Sequence, residues 1–212
     1  GVSVRISTTN LHGFQAYTTL GHTRSRFFGP EVGGIIFNSP LDTGVFRIDH
    51  DQAFQQTSYL RYQYKKDGPW AAFTWRFDSG EVAGSVTDLA DALALDADQQ
   101  TAIGFYCGSQ FATVYQRISS CSGNYGAARL NIPAPGTYNP DHNPPRIASR
   151  NLFDIGLGTD NLFRKETGLK TTLKFTVLNV ANTEALYNFL STFSGTHFVE
   201  PRTYQISLGW VL

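Results

Sequence analysis

Thr203-Tyr204-Gln205-Ile206-Ser207-Leu208-Gly209-Trp210-Val211-Leu212 reads with a period of two. Tyr204, Ile206, Leu208, Trp210 and Leu212 share one face; Thr203, Gln205, Ser207, Gly209 and Val211 share the other. Successive side chains of an extended chain point to opposite faces, so this alternation predicts a strand and not a helix. The segment starting at Leu169 repeats it. Leu169, Thr171, Leu173, Phe175 and Val177 face one way, and Lys170, Thr172, Lys174 and Thr176 the other. Two lysines on one face argue that this face meets water. A strand of about 9–11 residues, apolar outside and polar inside, is the unit of a transmembrane β-barrel. The same alternation also suits a half-buried strand of a soluble sandwich.

Working outward, the pattern recurs. Val2, Val4 and Ile6 alternate with Ser3, Arg5 and Ser7. A second strand follows from Phe14 to about Arg26, with Tyr17 against its pattern. A third runs from Phe54 to Lys65. A fourth places Ala71, Phe73, Trp75 and Phe77 opposite Ala72, Thr74, Arg76 and Asp78. A fifth, Arg150 to Asn161, places Phe153, Ile155 and Leu157 opposite Asp154, Gly156 and Gly158. The expected fold is all-β, an antiparallel up-and-down meander of seven long strands. Its connections alternate: short turns at 10–13, 65–69 and 163–168, long loops at 27–53, 79–144 and 181–200. Outer-membrane barrels sort their connections this way, short on the periplasmic side and long outside. The 79–144 loop holds a helical patch at 88–95 with Thr87 as N-cap. A second short helix follows Asp96, with Gln99 in the capping-box position. The Pro-rich run 131–145 is read as irregular.

Composition agrees. Charged residues are 16% and aromatic residues 14%, while Lys+Arg and Asp+Glu balance at 17 each. No basic stripe points to nucleic acid. No apolar run reaches the ~18 residues of a membrane-spanning helix. The charges Arg61, Arg76, Asp154, Lys170 and Lys174 all fall on the face assigned to the barrel interior. Cys107 and Cys121, close in sequence, predict a disulfide in an oxidising compartment, with Cα atoms about 4.4–6.8 Å apart. Closing a loop of about 15 residues stabilises by about 3 kcal/mol in the chain-entropy account.

Several stretches carry a family resemblance. They are Asp49-His50-Asp51, Trp75-Arg76-Phe77-Asp78-Ser79-Gly80, Arg150-Asn151-Leu152-Phe153-Asp154, Val177-Leu178-Asn179-Val180 and Pro201-Arg202-Thr203-Tyr204. With them, residues 1–212 resemble the C-terminal β-barrel segment of a TonB-dependent outer-membrane receptor of the large-loop type. The final Gly209-Trp210-Val211-Leu212 resembles the signal read by the barrel-assembly machinery, although such signals usually end in Phe. The resemblance implies a transmembrane β-barrel of about 22 strands around a plug. It implies TonB-energised uptake of a bulky nutrient across the cell outer membrane of a Gram-negative-type bacterium. Plug, TonB box and earlier strands are absent here, so the chain is expected to be a fragment without transport activity alone. The expected partners are membrane lipid, the TonB complex through the missing part, and the assembly machinery through the last strand. The alternative is a soluble, secreted β-rich module, for example a glycan binder.

No nucleophile, P-loop or metalloprotease motif occurs, so neither an enzyme nor a cofactor is expected. Asp49, His50 and Asp51 have metal-ligand chemistry, but their simpler reading is a hydrogen-bonded strand start at the barrel rim; Asp141-His142 reads likewise. The ligand-contact candidates are His50, Arg76, Asp78, Phe105, Tyr106, Phe111, Tyr115, Tyr125 and Tyr138. For the aromatics the competing role is to pack the loop's own small core. Phe73, Trp75, Phe77, Phe153, Ile155, Leu157, Leu173, Phe175, Val177, Ile206, Leu208 and Trp210 are expected to face lipid. In water so large an uncharged patch would exceed the ~300–600 Å² typical of a soluble monomer.

Overall fold

The structure, a computed structural model, describes residues 1–28, 44–48, 51–84, 86–191 and 195–211. Seven long strands form one antiparallel sheet. They are β1 (Val2–Leu11), β2 (Phe14–Thr23), β3 (Gln52–Gln63), β4 (Pro69–Asp78), β5 (Arg150–Thr159), β6 (Lys170–Leu178) and β7 (Thr203–Val211). Each is hydrogen-bonded to its sequence neighbours, so the sheet is a meander without a crossover. The sheet is open, with β1 and β7 as its edges. The expected strand order holds, and the ends shift by a few residues: β1 runs on to Leu11, and β2 stops at Thr23 rather than Arg26. No helix among the described residues is long and apolar enough to cross a membrane, which says nothing about crossing by strands.

Local chemistry sets the short turns. Between β1 and β2, His12 and Gly13 both have positive φ, as a tight hairpin requires. The Gly13 N–H donates to the Asn10 side chain at 3.0 Å. A Cβ on Gly13 would stand 2.4 Å from the Gln63 carbonyl oxygen, so the turn excludes any larger residue.

Register then decides which side chains share a face. Thr8, Ala16, Leu60, Phe73, Ile155, Val177 and Tyr204 form one row across all seven strands. Phe14, Tyr62, Ala71, Leu157, Phe175 and Ile206 form the next. A one-residue slip at any pair would break these rows by sending half of them to the other side. The twelve apolar residues named above all lie on this face, and none is buried; Ile206 is 76% exposed.

The opposite face is polar and internally paired. Arg61 reaches Asp160 at 2.8 Å and lies 4.7 Å from the Trp70 ring. The Trp70 ring occupies the trough left by Gly158, where a Cβ would stand 2.5 Å from it. Tyr17, against the pattern in sequence, stacks on Tyr59 at 5.2 Å beneath the Arg5 guanidinium. The polar face therefore explains it.

The buried core is not in the sheet. Its members are Ala83, Val86, Ala92, Leu95, Ile103, Phe105, Ala112, Ile118, Leu130, Ile147, Leu186 and Phe189, all from the second and third long connections. Helices α1 (Leu89–Ala94) and α2 (Ala97–Ile103) pack there. The N-cap of α1 is Asp88, one residue after the expected Thr87. The Asp88 carboxylate accepts from the Asp91 N–H, whereas the Thr87 hydroxyl donates to the Asp91 side chain. Asp96 caps α2 in a full capping box with Gln99, as the sequence predicts. Within the Pro-rich run, Asn131 pairs with Arg146 in a two-residue ladder. A hairpin of Leu186–Ser191 with Gly195–Phe198 completes the cap.

Candidate functional site at the long-loop end

Where the polar face of the sheet meets the cap, β4, β5 and the last long connection enclose a pocket. Its walls include Arg76, Asp78, Arg150, Asp154, Asn179, Tyr187, Phe198 and Glu200. Strand alternation brings Arg76 and Asp78 to this face, and β4–β5 pairing sets Asp78 beside Arg150. Arg150 is 3% exposed; its Nε donates to Asp78 at 3.0 Å, and its Nη1 donates to the Leu186 carbonyl at 2.6 Å. Its guanidinium lies 5.1 Å from the Tyr187 ring. Arg150 thus holds the cap hairpin to the strand. Gln52 also donates to Asp78, at 3.0 Å. Arg76 donates to both oxygens of Asp154, at 2.9 and 3.1 Å, and the Asn179 N–H donates to the same carboxylate at 2.9 Å. Arg76 remains 41% exposed and Glu200 is exposed too, so the pocket presents a charge of each sign to solvent. Tyr187 and Phe198 are exposed beside it. Chemically the pocket offers a cation, carboxylates and two aromatic surfaces, a set suited to polar and stacking contacts with a ligand.

A second array fixes the first two long connections to each other. Arg47 donates to Asp51 at 2.8 Å, with both side chains buried, and also reaches Asp141 at 2.9 Å. Arg26 reaches Asp141 at 2.6 Å, and Arg146 pairs with the other oxygen of Asp51. Burial pushes the Asp51 carboxyl up. The hydrogen bonds from Arg146, the Ser25 N–H and Arg47 outweigh it and hold the group below the usual carboxylate range. Asp141 follows the same balance: desolvation raises it, and Arg26, Arg47 and His142 bring it below its ordinary value. These contacts match the simpler reading of Asp51 as a hydrogen-bonded strand start. Among the described residues no cluster of His, Cys, Asp and Glu is set to hold a metal.

The remaining candidates scatter. Phe105 is fully buried in the core, and Tyr125 packs against that core. Tyr106 lies 5.6 Å from Phe111 and, with Tyr125, lines a different hollow beside 130–135. Phe111, Tyr115 and Tyr138 are exposed, Tyr115 at 97%. None of the six lines the Arg76–Asp78 pocket. His50 and Asp49 lie outside the described residues. Cys107 and Cys121 are bonded, with Cα atoms 5.8 Å apart. Sequence reasoning missed Arg150, Tyr187, Glu200 and the Arg26–Arg47–Arg146 array. Arg26 and Asp141 are 115 residues apart, a pairing no local pattern signals. Comparison with protein families, curated proteins and solved structures finds no match to this chain.

Proposed function

We propose that this chain is the C-terminal barrel segment of a TonB-dependent outer-membrane receptor. In this reading it helps to take a bulky nutrient through the outer membrane and does not transport alone. The observation that carries the membrane part is one face of the sheet, predominantly apolar and exposed from β4 to β7 and interrupted on β2 and β3 by the hydrogen-bonded Thr18, Ser58 and Gln56. The strands hold 9 to 12 residues. At about 3.3 Å per residue and a tilt near 45°, ten residues rise roughly 23 Å, matching an apolar band of about 25 Å. Lipid does not tolerate unpaired backbone, so the edges β1 and β7 call for closure with further strands, and the resemblance puts that barrel at about 22. The receptor and TonB parts rest on the resemblance and on the pocket at the long-loop end. A soluble glycan-binding sandwich would need the same face buried under a second sheet.

The three tryptophans test this reading. Trp75 and Trp210 lie on the apolar face, and Trp70 on the other, bonded to Asp160. In bilayers of brominated lipid, single-tryptophan versions of the closed, full-length barrel retaining Trp75 or Trp210 should be quenched, and one retaining Trp70 spared. Equal protection of all three sinks the membrane reading.

A further inference from the structure

The opposite, short-turn end of the sheet carries charge that uptake leaves unused. The chain has five lysines, Lys65, Lys66, Lys165, Lys170 and Lys174, and none lies in a long connection. A groove runs between the β3–β4 turn, Tyr64 to Pro69, and the β5–β6 turn, Asn161 to Lys170. Lys65, Lys66, Arg164 and Lys165 stand along it, and among the described residues Glu166 is the one acid on its walls that pairs with no cation. The other nearby acids are engaged: Asp67 accepts from Lys170 at 2.6 Å, and Asp160 takes Arg61 at 2.8 Å. A cationic excess is left. Asn161 braces the second turn, donating to the Lys165 carbonyl at 2.6 Å and accepting from its N–H at 3.0 Å.

The apolar surroundings matter as much. Tyr64 and Leu169 continue the period-two pattern of the apolar face, and both are exposed, as are Leu162 and Phe163. The groove therefore sits where the apolar band ends and the cations begin. Lysines with long apolar stems favour such a boundary, with ammonium groups at headgroup level. Charge complementarity selects an anion, and the adjoining apolar face selects one that carries acyl chains. We propose that this groove seats the phosphodiester headgroup of an anionic phospholipid, whose chains lie on the apolar face beside Tyr62, Leu157 and Phe175. The proposal rests on the membrane reading above.

The test places the closed, full-length barrel that carries this segment in nanodiscs of phosphatidylcholine alone and of phosphatidylcholine with phosphatidylglycerol, then counts retained lipids by native mass spectrometry. Wild type should retain phosphatidylglycerol preferentially. The combined Lys65→Gln, Lys66→Gln, Arg164→Gln and Lys165→Gln variant should lose that preference by at least about tenfold, since each cation contributes roughly fivefold at an anionic surface. A Lys65→Arg, Lys66→Arg, Lys165→Arg variant should keep it. Insertion without lipid preference, or equal preference in the Gln variant, overturns this proposal alone. Displacement of the lipid by inorganic phosphate also overturns it, making the groove a free-anion site. Failure to insert into either bilayer overturns it together with the membrane reading.

Discussion

At the scale of single residues, facing sides of one strand should respond oppositely to charge. Phe175 and Leu208 lie on the apolar face; Thr176 and Ser207, their immediate neighbours, lie on the polar one. Phe175→Arg or Leu208→Arg should cost about 2–4 kcal/mol of stability in lipid if these positions are near the midplane. Thr176→Arg and Ser207→Arg should cost much less. Denaturant titration in vesicles checks this, and equal tolerance on the two faces defeats the barrel reading. Asp51 supplies a second prediction. Its buried partner Arg47 would be left with one carboxylate fewer, so Asp51→Ala should destabilise the cap by on the order of 3–5 kcal/mol at neutral pH. Because the folded Asp51 carboxyl titrates below its unfolded value, its contribution is complete above about pH 4 and is lost as pH falls further. The gap between wild type and Asp51→Ala should therefore close in acid. A penalty unchanged at about pH 2 would mean the carboxylate charge is not what binds the arginines.

At the scale of elements, α2 is anchored by two fully buried side chains, Ile103 in the apolar core and the polar Gln100. Gln100 has no exposed surface. Its amide donates to the carbonyls of Ala92 and Ile118 at 3.0 and 2.9 Å, and its oxygen accepts from the Ile118 N–H at 2.8 Å. Gln100→Leu keeps the volume but orphans three buried backbone groups. Each costs about 1–3 kcal/mol, so the cap should unfold at clearly lower temperature while β1–β7 persist. Near-ultraviolet against far-ultraviolet dichroism during heating checks it; a single unchanged transition would show that cap and sheet melt as one. The capping box of α2 was legible because Asp96 and Gln99 stand at fixed spacing, and spacing alone forms the motif. Gln100 was not, since its three partners are brought to it by packing.

At the scale of the molecule, the loops are sorted by length to the two ends of the sheet, and the folded core lies at only one of them. On the proposed receptor reading, Arg76→Ala in the full-length receptor should weaken ligand binding by roughly tenfold or more, the worth of a charged hydrogen-bonding group, without harming assembly of the barrel. Binding assays beside heat-modifiability on gels separate the two effects. Normal binding in Arg76→Ala would move the ligand contacts away from this pocket.

Seven strands, their order and their two faces follow from the chain alone, because strand periodicity is local and a meander pairs only neighbours in sequence. The alternation of apolar and polar side chains from Phe73 to Asp78, or from Tyr204 to Trp210, needs no distant contact to be read. Register came only with the tertiary structure, since any even shift keeps the same faces yet moves Leu60 away from Phe73 or Leu157 away from Phe175. The pocket likewise came only with the fold. Arg150 meets Asp78 across a strand pair and the Leu186 carbonyl across a loop, and Arg47 meets Asp141 across 94 residues. Such ion pairs form where two connections are packed together, and packing of long loops is decided by buried surface rather than by neighbouring residues in the chain.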